Sequence, residues 1–316
     1  MPPAGDLLRL GGATMGTRWS LVCVPPPGLS AERIARGVQH ALDRVVAQMS
    51  NWEAASDISR FNRAAPGSLV SLPAEFLHVL ETALAIARAT RGAFDPTIGA
   101  LVDLWGFGPA PAPRAAPSAD AIAEAAARCG WHRLSIDRSR SSTTQPGGIL
   151  LDLSGIAKGF GVDLVAQYLS RIGVRHFLAE VGGELRGEGV KPNGLPWWVD
   201  IEQPDGLELE GMRIALHGLA VATSGDYRRF TERDGRRLPH SLDPQTGRPI
   251  VNGVASVTVI HPSCMAADAF ATALSVLGPG QGMALATRLA LAAHMVMRTE
   301  NGVWEEMSPA MTAMLG

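Results

Sequence analysis

The sequence predicts an α+β fold, and three observations carry that reading. Strand-like runs cluster between blocks of helical periodicity without strict strand–helix–strand alternation. Glycine, proline and asparagine punctuate the middle of the chain at short intervals, as they do between short strands. The 316 residues are 46% apolar, enough to bury a sizeable core in one large domain or two intimately packed ones.

In chain order, residues 13–24 read as a strand, because Trp19, Leu21 and Cys23 alternate with smaller or exposed positions and the PPPG that follows ends it. Ser30 caps a helix running to about Met49, and the polar run NWEAASDISRFNRAAPG reads as a loop. A second helix has Ser71 as N-cap, Pro73 in its first turn and Gly92 just past its end. Its apolar positions Phe76, Val79, Leu80, Ala83, Leu84 and Ala87 form one stripe. Residues 109–120, PAPAPRAAPSAD, read as a surface linker. A short Ala-rich helix ends near Gly130, a β-rich stretch covers about 132–151, and a helix spans about 156–172. Short strands fill 174–260, two helices follow at 263–277 and 280–291, and a strand pair surrounds Asn301-Gly302.

A net charge of −2 offers no basic footprint for nucleic acid and no polybasic patch for anionic lipid. Cys23, Cys129 and Cys264 are scattered and odd in number, which argues against a disulfide framework and a zinc site. The eight histidines contain no HxxxH pair. The start MPPAGDLLRLGG has neither a basic n-region nor an apolar h-region, so the expectation is a cytoplasmic protein. The run MALATRLALAAHMVM is broken by Arg288 and His294 and is too short to span a bilayer.

Four segments are more polar and glycine-rich than their surroundings. In ILLDLSGIAKGFGVD an apolar strand ends at Asp152, Ser154-Gly155 turn, and a helix opens at Ile156. Backbone N–H groups at such a start suit a phosphate. Lys158 in the first turn opposes the helix dipole and makes more sense facing a ligand anion. A plain strand–turn–helix with Asp152 as cap and Lys158 in water fits the same residues. In GAFDPTIGALVDLWGFG, Trp105 and Phe107 suit either a planar ligand or a core-lining loop. HSLDPQTGRPI is a compact loop with His240 at its edge, a general base or a structural histidine. The preceding ATSGDYRRF lacks a nucleophile elbow, so Ser224 is a poor hydrolase nucleophile. In SCMAADAFATAL, Asp268 and Thr272 are four apart and share a helix face. Two hard oxygens one turn apart suit Mg2+, and a carboxylate placed at a helix start only because the dipole favours it there fits the same residues. Oxygen ligands, helix-start anion sites and one lysine together form a kit for a metal-bound pyrophosphate.

The ordered segments ATMGTRW, MSNWEAASDISRFN, GAFDPTIG, LDLSGIAKGFGVD, VGGELRGEG, ATSGDYRRF, HSLDPQTG and CMAADAFATAL resemble the ApbE family of FAD:protein FMN transferases. The resemblance implies an α+β fold with mixed or antiparallel sheets and flanking helices enclosing an FAD cleft. It implies Mg2+-dependent transfer of FMN from FAD to a threonine hydroxyl of an acceptor flavoprotein, a membrane electron-transfer subunit or similar, with release of AMP. An FAD pyrophosphatase and a non-catalytic FAD-storage protein are the rival readings. The family's FAD contacts fall on Met15, Trp52, Ala93, Phe94, Asp95, Asp152, Lys158 and Leu242. Its metal ligands fall on the Gly155 carbonyl, Asp268 and Thr272, with Ala271 beside them, and its proposed base on His240. Trp52 stands where many members carry tyrosine, and Ser154-Gly155 replaces a commoner Gly-Gly.

Overall fold

The computed structural model describes residues 2–111, 113, 115–204, 206–207, 209–226, 230–233, 236–300 and 302–315. The chain begins with β1 (Leu8–Thr14) and β2 (Thr17–Cys23), paired antiparallel. The single strand expected over 13–24 is therefore a hairpin arm and its turn. The reversal falls on Met15 and Gly16, whose φ values of 48° and 69° are both positive. Two-residue hairpin turns need that backbone to match the strand twist. Glycine accepts it freely, and at methionine it costs about 1 kcal/mol.

Helix α1 (Ala31–Met49) starts where expected, with Ser30 Oγ accepting from Arg33 N at 3.3 Å. Its buried positions Ile34, Val38, Ala41, Leu42, Val45 and Met49 form one stripe. The polar run after it is not all loop: Ser56 caps a short helix α2 (Asp57–Arg63), burying Ile58 and Phe61. Ser71 is not a cap. It ends a strand, β3 (Leu69–Ser71), and Pro73 precedes α3 (Ala74–Ala89) without any side-chain cap bond. The segment following Gly92 contains α4 (Gly99–Trp105), ended by Gly106 at φ 79°. Ala112 and Arg114 of the linker lie outside the described residues, and its last part, from Ser118, caps and begins α5 (Ala119–Ala126). The β-rich stretch reduces to β4 (Ile136–Asp137) and β5 (Ser142–Thr144). The apolar run 149–152 makes only one bridge, Ile98 to Leu150, rather than a strand.

Helix α6 (Ser154–Arg171) precedes β6 (Phe177–Val181), β7 (Glu184–Glu188), β8 (Trp197–Asp200), β9 (Arg213–Leu216) and β10 (Leu219–Gly225). Then come β11 (Phe230–Arg233), β12 (Arg236–Pro239), β13 (Leu242–Asp243), β14 (Arg248–Pro249) and β15 (Val254–His261). The two helices expected near the end are both present within α7 (Cys264–Arg288), which breaks between them at Gly278 (φ 72°, ψ −173°) just before Pro279. β16 (Ala292–Thr299) and β17 (Gly302–Met307) flank Asn301, which lies outside the described residues, and α8 (Pro309–Leu315) closes the chain.

Eight strands form the main sheet in the order β1-β2-β6-β7-β10-β15-β16-β17, with each neighbouring pair antiparallel. One face carries α1, α6 and α7: Trp19, Leu21, Phe177, Ala179 and Val181 pack with α1 and α6, while Ala222, Val257, Val259 and Met295 pack with α7. The other face is covered by the β8–β9 ribbon and α8, through Trp197, Leu216 and Met311 against Val221 and Ile260. A separate cluster of α2, α3 and the loops around Phe94 and Leu151 packs against the N-terminal half of α6. Among the described residues no helix is long and apolar enough to cross a membrane.

Candidate functional site

Two glycines set the seam between α6 and α7. A Cβ on Gly159 would stand 2.3 Å from the Cys264 carbonyl oxygen and 2.9 Å from Asp268 Cβ. A Cβ on Gly155, one turn earlier, would stand 3.0 Å from Thr272 Oγ1. Only glycine permits the helices to approach this closely. The approach lets Gly159 N donate to Asp268 Oδ2 at 3.0 Å, so a carboxylate that is only 3% exposed is held by its neighbouring helix. Asp163, further along α6, fixes the start of α7. Its two oxygens accept from Ser263 Oγ (2.8 Å), Cys264 N (3.0 Å), Met265 N (3.0 Å) and Arg186 Nη1 (3.1 Å).

Across the seam Gly155 thus stands against Thr272 and Gly159 against Asp268, and Ser224 of β10 joins them with its Oγ 3.2 Å from Thr272 Oγ1. Among the described residues no group of three or more His, Cys, Asp and Glu side chains could hold a metal. One carboxylate with neutral hydroxyl and carbonyl oxygens is nevertheless the donor set that suits Mg2+, which keeps waters and substrate phosphates as its remaining ligands. Ala271 contributes no side chain there: its methyl is fully buried in the sheet-facing core and its carbonyl accepts Ser275 Oγ at 2.9 Å.

Lys158 Nζ sits 2.5 Å from Glu184 Oε1, and Glu184 is 1% exposed. The lysine is thus neither simply in water nor aimed only at a ligand; a buried carboxylate on β7 anchors it while its side chain stays partly accessible. The Lys158 stem passes Gly182 at the β6–β7 turn, 3.5 Å from where a Cβ would stand. Met15 reaches the same helix, its Cε 3.0 Å from a Cβ built on Gly161. Of the backbone donors at the α6 start, Ser154 N is taken by Asp152 Oδ1 (2.8 Å), and Ile156 N and Ala157 N by the Leu153 carbonyl.

The loop from Ala93 to Asp95 lies against this helix start. Asp152 N donates to the Pro96 carbonyl at 2.9 Å, and the Phe94 ring edge comes 3.4 Å from a Cβ built on Gly155. The Asp95 carboxylate works inside the loop, accepting from Thr97 N (2.8 Å) and Thr97 Oγ1 (2.6 Å). Burial raises its pKa above the ordinary carboxylate range, with the Thr97 bonds opposing. Asn51 and Asn62 hold the backbone next to Asp152: both Nδ2 groups donate to the Leu151 carbonyl at 3.1 Å, and Leu151 N donates to Asn62 Oδ1 at 2.7 Å. Trp52 follows Asn51 and is 51% exposed.

His240 and Leu242 belong to a second group. Trp105 and Phe107 are core residues rather than a ligand platform, at 5% and 6% exposure, packed with Leu101, Ile122 and Leu242. Trp105 Nε1 donates to the Gly247 carbonyl at 2.8 Å, and the Phe107 ring meets the half-buried His240 edge-on, with centroids 6.4 Å apart. These contacts dock the 240–250 loop onto α4, and α4 begins only four residues after Asp95. Leu242, expected as an FAD contact, has its side chain in this core. Tyr227, Arg228 and Arg229 of the ATSGDYRRF segment lie outside the described residues.

Reasoning from the sequence missed Glu184, Asn51, Asn62, Asp163 and the pairing of Ser224 with Thr272. The available signal was the spacing of Gly155 and Gly159, four apart on one helix face, which marks a close helix contact. The partners across that contact are more than a hundred positions away and leave no local trace.

A family model described as the ApbE family matches residues 15–295. The chain is 38% identical over 302 residues to the FAD:protein FMN transferase of Vibrio cholerae serotype O1, covering 95% of this chain and 90% of that one. It is 36% identical over 312 residues to the FAD:protein FMN transferase of Haemophilus influenzae, covering 96% and 90%. The crystal structure of Pseudomonas stutzeri flavinyl transferase ApbE in its apo form superposes with a TM-score of 0.91 at 38% identity, covering 98% of this chain and 97% of that one.

Proposed function

Because the chain belongs to the ApbE family, we infer that it is an FAD:protein FMN transferase that uses Mg2+ held by Asp268, Thr272 and the Gly155 carbonyl. The observation that supports the site assignment is the close α6–α7 seam, where Gly159 N, next to Lys158 in the chain, holds the Asp268 carboxylate and Gly155 stands against Thr272 Oγ1. Bound there, Mg2+ supplies Lewis-acid neutralisation of a pyrophosphate. The chain's own residues do the rest. Lys158 places a cation near the same phosphates, held in position by Glu184. Trp52, 51% exposed, would contact a ring of the dinucleotide, and the Phe94 ring, beside Gly155, would line the same site. The acceptor's threonine oxygen forms a new bond to the FMN-side phosphorus while the bridging P–O bond breaks and AMP leaves. His240 is the proposed acceptor of the hydroxyl proton. Positioning and charge neutralisation supply most of the rate, as in other phosphoryl transfers.

The test combines protein, FAD and Mg2+ with candidate acceptor flavoproteins, followed by intact-mass spectrometry. Covalent FMN on the acceptor, abolished by EDTA and by Asp268→Ala, is the expected result. Free FMN with an unmodified acceptor would mark a hydrolase, and intact FAD throughout would mark a storage protein.

A further inference from the structure

We propose that Ser224 is a positioning residue for Thr272, fixing the direction in which the Thr272 hydroxyl offers its lone pairs. The proposal rests on the reading of Thr272 and Asp268 as Mg2+ ligands. Hydroxyls on the helices of this protein have a common habit: Thr82, Thr90, Ser275 and Thr287 each donate to the carbonyl four residues back, at 2.8 to 2.9 Å. That is the ordinary rotor choice for a helical threonine. Thr272 departs from it. Its Oγ1 reaches across to β10 and meets Ser224 Oγ at 3.2 Å.

The departure has a chemical consequence. A hydroxyl carries one hydrogen and two acceptor lone pairs. An oxygen that binds a cation presents a lone pair to it, and its hydrogen must point elsewhere to an acceptor. Ser224 Oγ is that acceptor. It lies on the helix-bearing face of β10, in line with Ala220 and Ala222, which pack against α6 and α7. On its other side Thr272 Oγ1 faces Gly155. With the hydrogen directed to β10, the lone pairs turn toward Gly155 and Asp268. The serine that makes a poor nucleophile from its sequence context thus acts through its neighbour. Ala222 and Gly225 around it are buried, so the strand holds it in register.

The experiment titrates Mg2+ into the FAD-loaded protein by calorimetry and measures FAD affinity in EDTA separately. Ser224→Ala is expected to raise the half-saturating Mg2+ about fivefold, the scale of one lost hydrogen bond, with FAD affinity in EDTA retained. Ser224→Thr keeps the hydroxyl and should retain the wild-type Mg2+ isotherm. In a Thr272→Val background, Ser224→Ala should add nothing further, because its effect runs through the missing hydroxyl. An equal shift in both backgrounds, or no shift in the wild-type background, overturns the proposal. Should Ser224→Ala melt below the working temperature, Ser224→Cys, a weaker acceptor, is read in the same titration with the same expected direction. Asp268→Ala separates the two layers. If it leaves the Mg2+ isotherm unchanged, the metal reading falls and takes this proposal with it. If it shifts the isotherm while Ser224→Ala does not, only the role of Ser224 falls.

Discussion

Lys158 and Glu184, 26 residues apart in sequence, form an ion pair at 2.5 Å in which the carboxylate is almost completely buried and the ammonium partly accessible. The pair joins the first turns of α6 to the β6–β7 turn. Deleting the cation of such a pair costs about 3 kcal/mol, because the remaining charge is poorly solvated. Lys158→Met should therefore lower both stability and FMN transfer. Lys158→Met combined with Glu184→Gln should recover most of the stability without recovering transfer. Denaturant melts and transfer rates on the same samples check this; recovery of transfer in the double variant would remove Lys158 from the phosphate site.

Gly159 is a packing prediction. A methyl group there meets backbone at the Cys264 carbonyl, which cannot swing aside as a side-chain end would. Gly159→Ala should destabilise by about 1–3 kcal/mol through overpacking. It should also weaken the response to Mg2+, since the Gly159 N–H that holds Asp268 moves with it. A melt and a Mg2+ titration of FAD binding test both parts, and a normal melt with a normal titration would show that the seam can relax.

Asp163 is expected to matter for α7 as a whole. Its carboxylate takes two backbone donors and one hydroxyl at the helix start, plus the Arg186 guanidinium. Asp163→Asn keeps the shape but turns one acceptor into a donor and removes the charge. A loss of about 2 kcal/mol is expected, the scale of hydrogen bonds to a charged group. Hydrogen exchange should localise the loss to the first turns of α7. Uniform exchange across the sheet would instead point to a global effect.

His294 supplies a pH dependence. It is 4% exposed on β16, with Nε2 2.9 Å from Glu305 Oε1. Burial lowers its pKa, outweighing the opposing pull of Glu305. A histidine with a depressed folded pKa binds fewer protons in the native than in the unfolded state once the pH falls below the unfolded value of about 6.5. Its contribution to stability is present above that value and declines as acid is added. Melting temperatures between neutral and mildly acidic pH should fall in the wild type, and His294→Gln should flatten that fall. An unchanged slope in the variant would assign the acid sensitivity to other groups.

The sequence by itself determined the helices whose stripes and caps are local. Ser30 and the stripe of α1, the apolar face of α3, and the start of α7 near 263 are all visible in short windows because helix geometry repeats within a few residues. The ordered motifs likewise identified the family, and the resemblance nominated Asp268, Thr272, Gly155 and Lys158 as parts of one site. Tertiary structure decided the remainder. The hairpin turn at Met15 was hidden because methionine is an unexpected residue at positive φ. The strand expected at 149–152 is apolar because the α3 cluster and α4 bury it, and burial alone does not supply a pairing partner. Trp105 and Phe107 could serve a ligand or a core, and only the docking of the 240–250 loop chose the core. The bonds from Gly159 to Asp268, Glu184 to Lys158 and Ser224 to Thr272 link residues 26 to 109 positions apart. Such partners are selected by how α6, α7 and the sheet pack together, and local sequence carries no record of that choice.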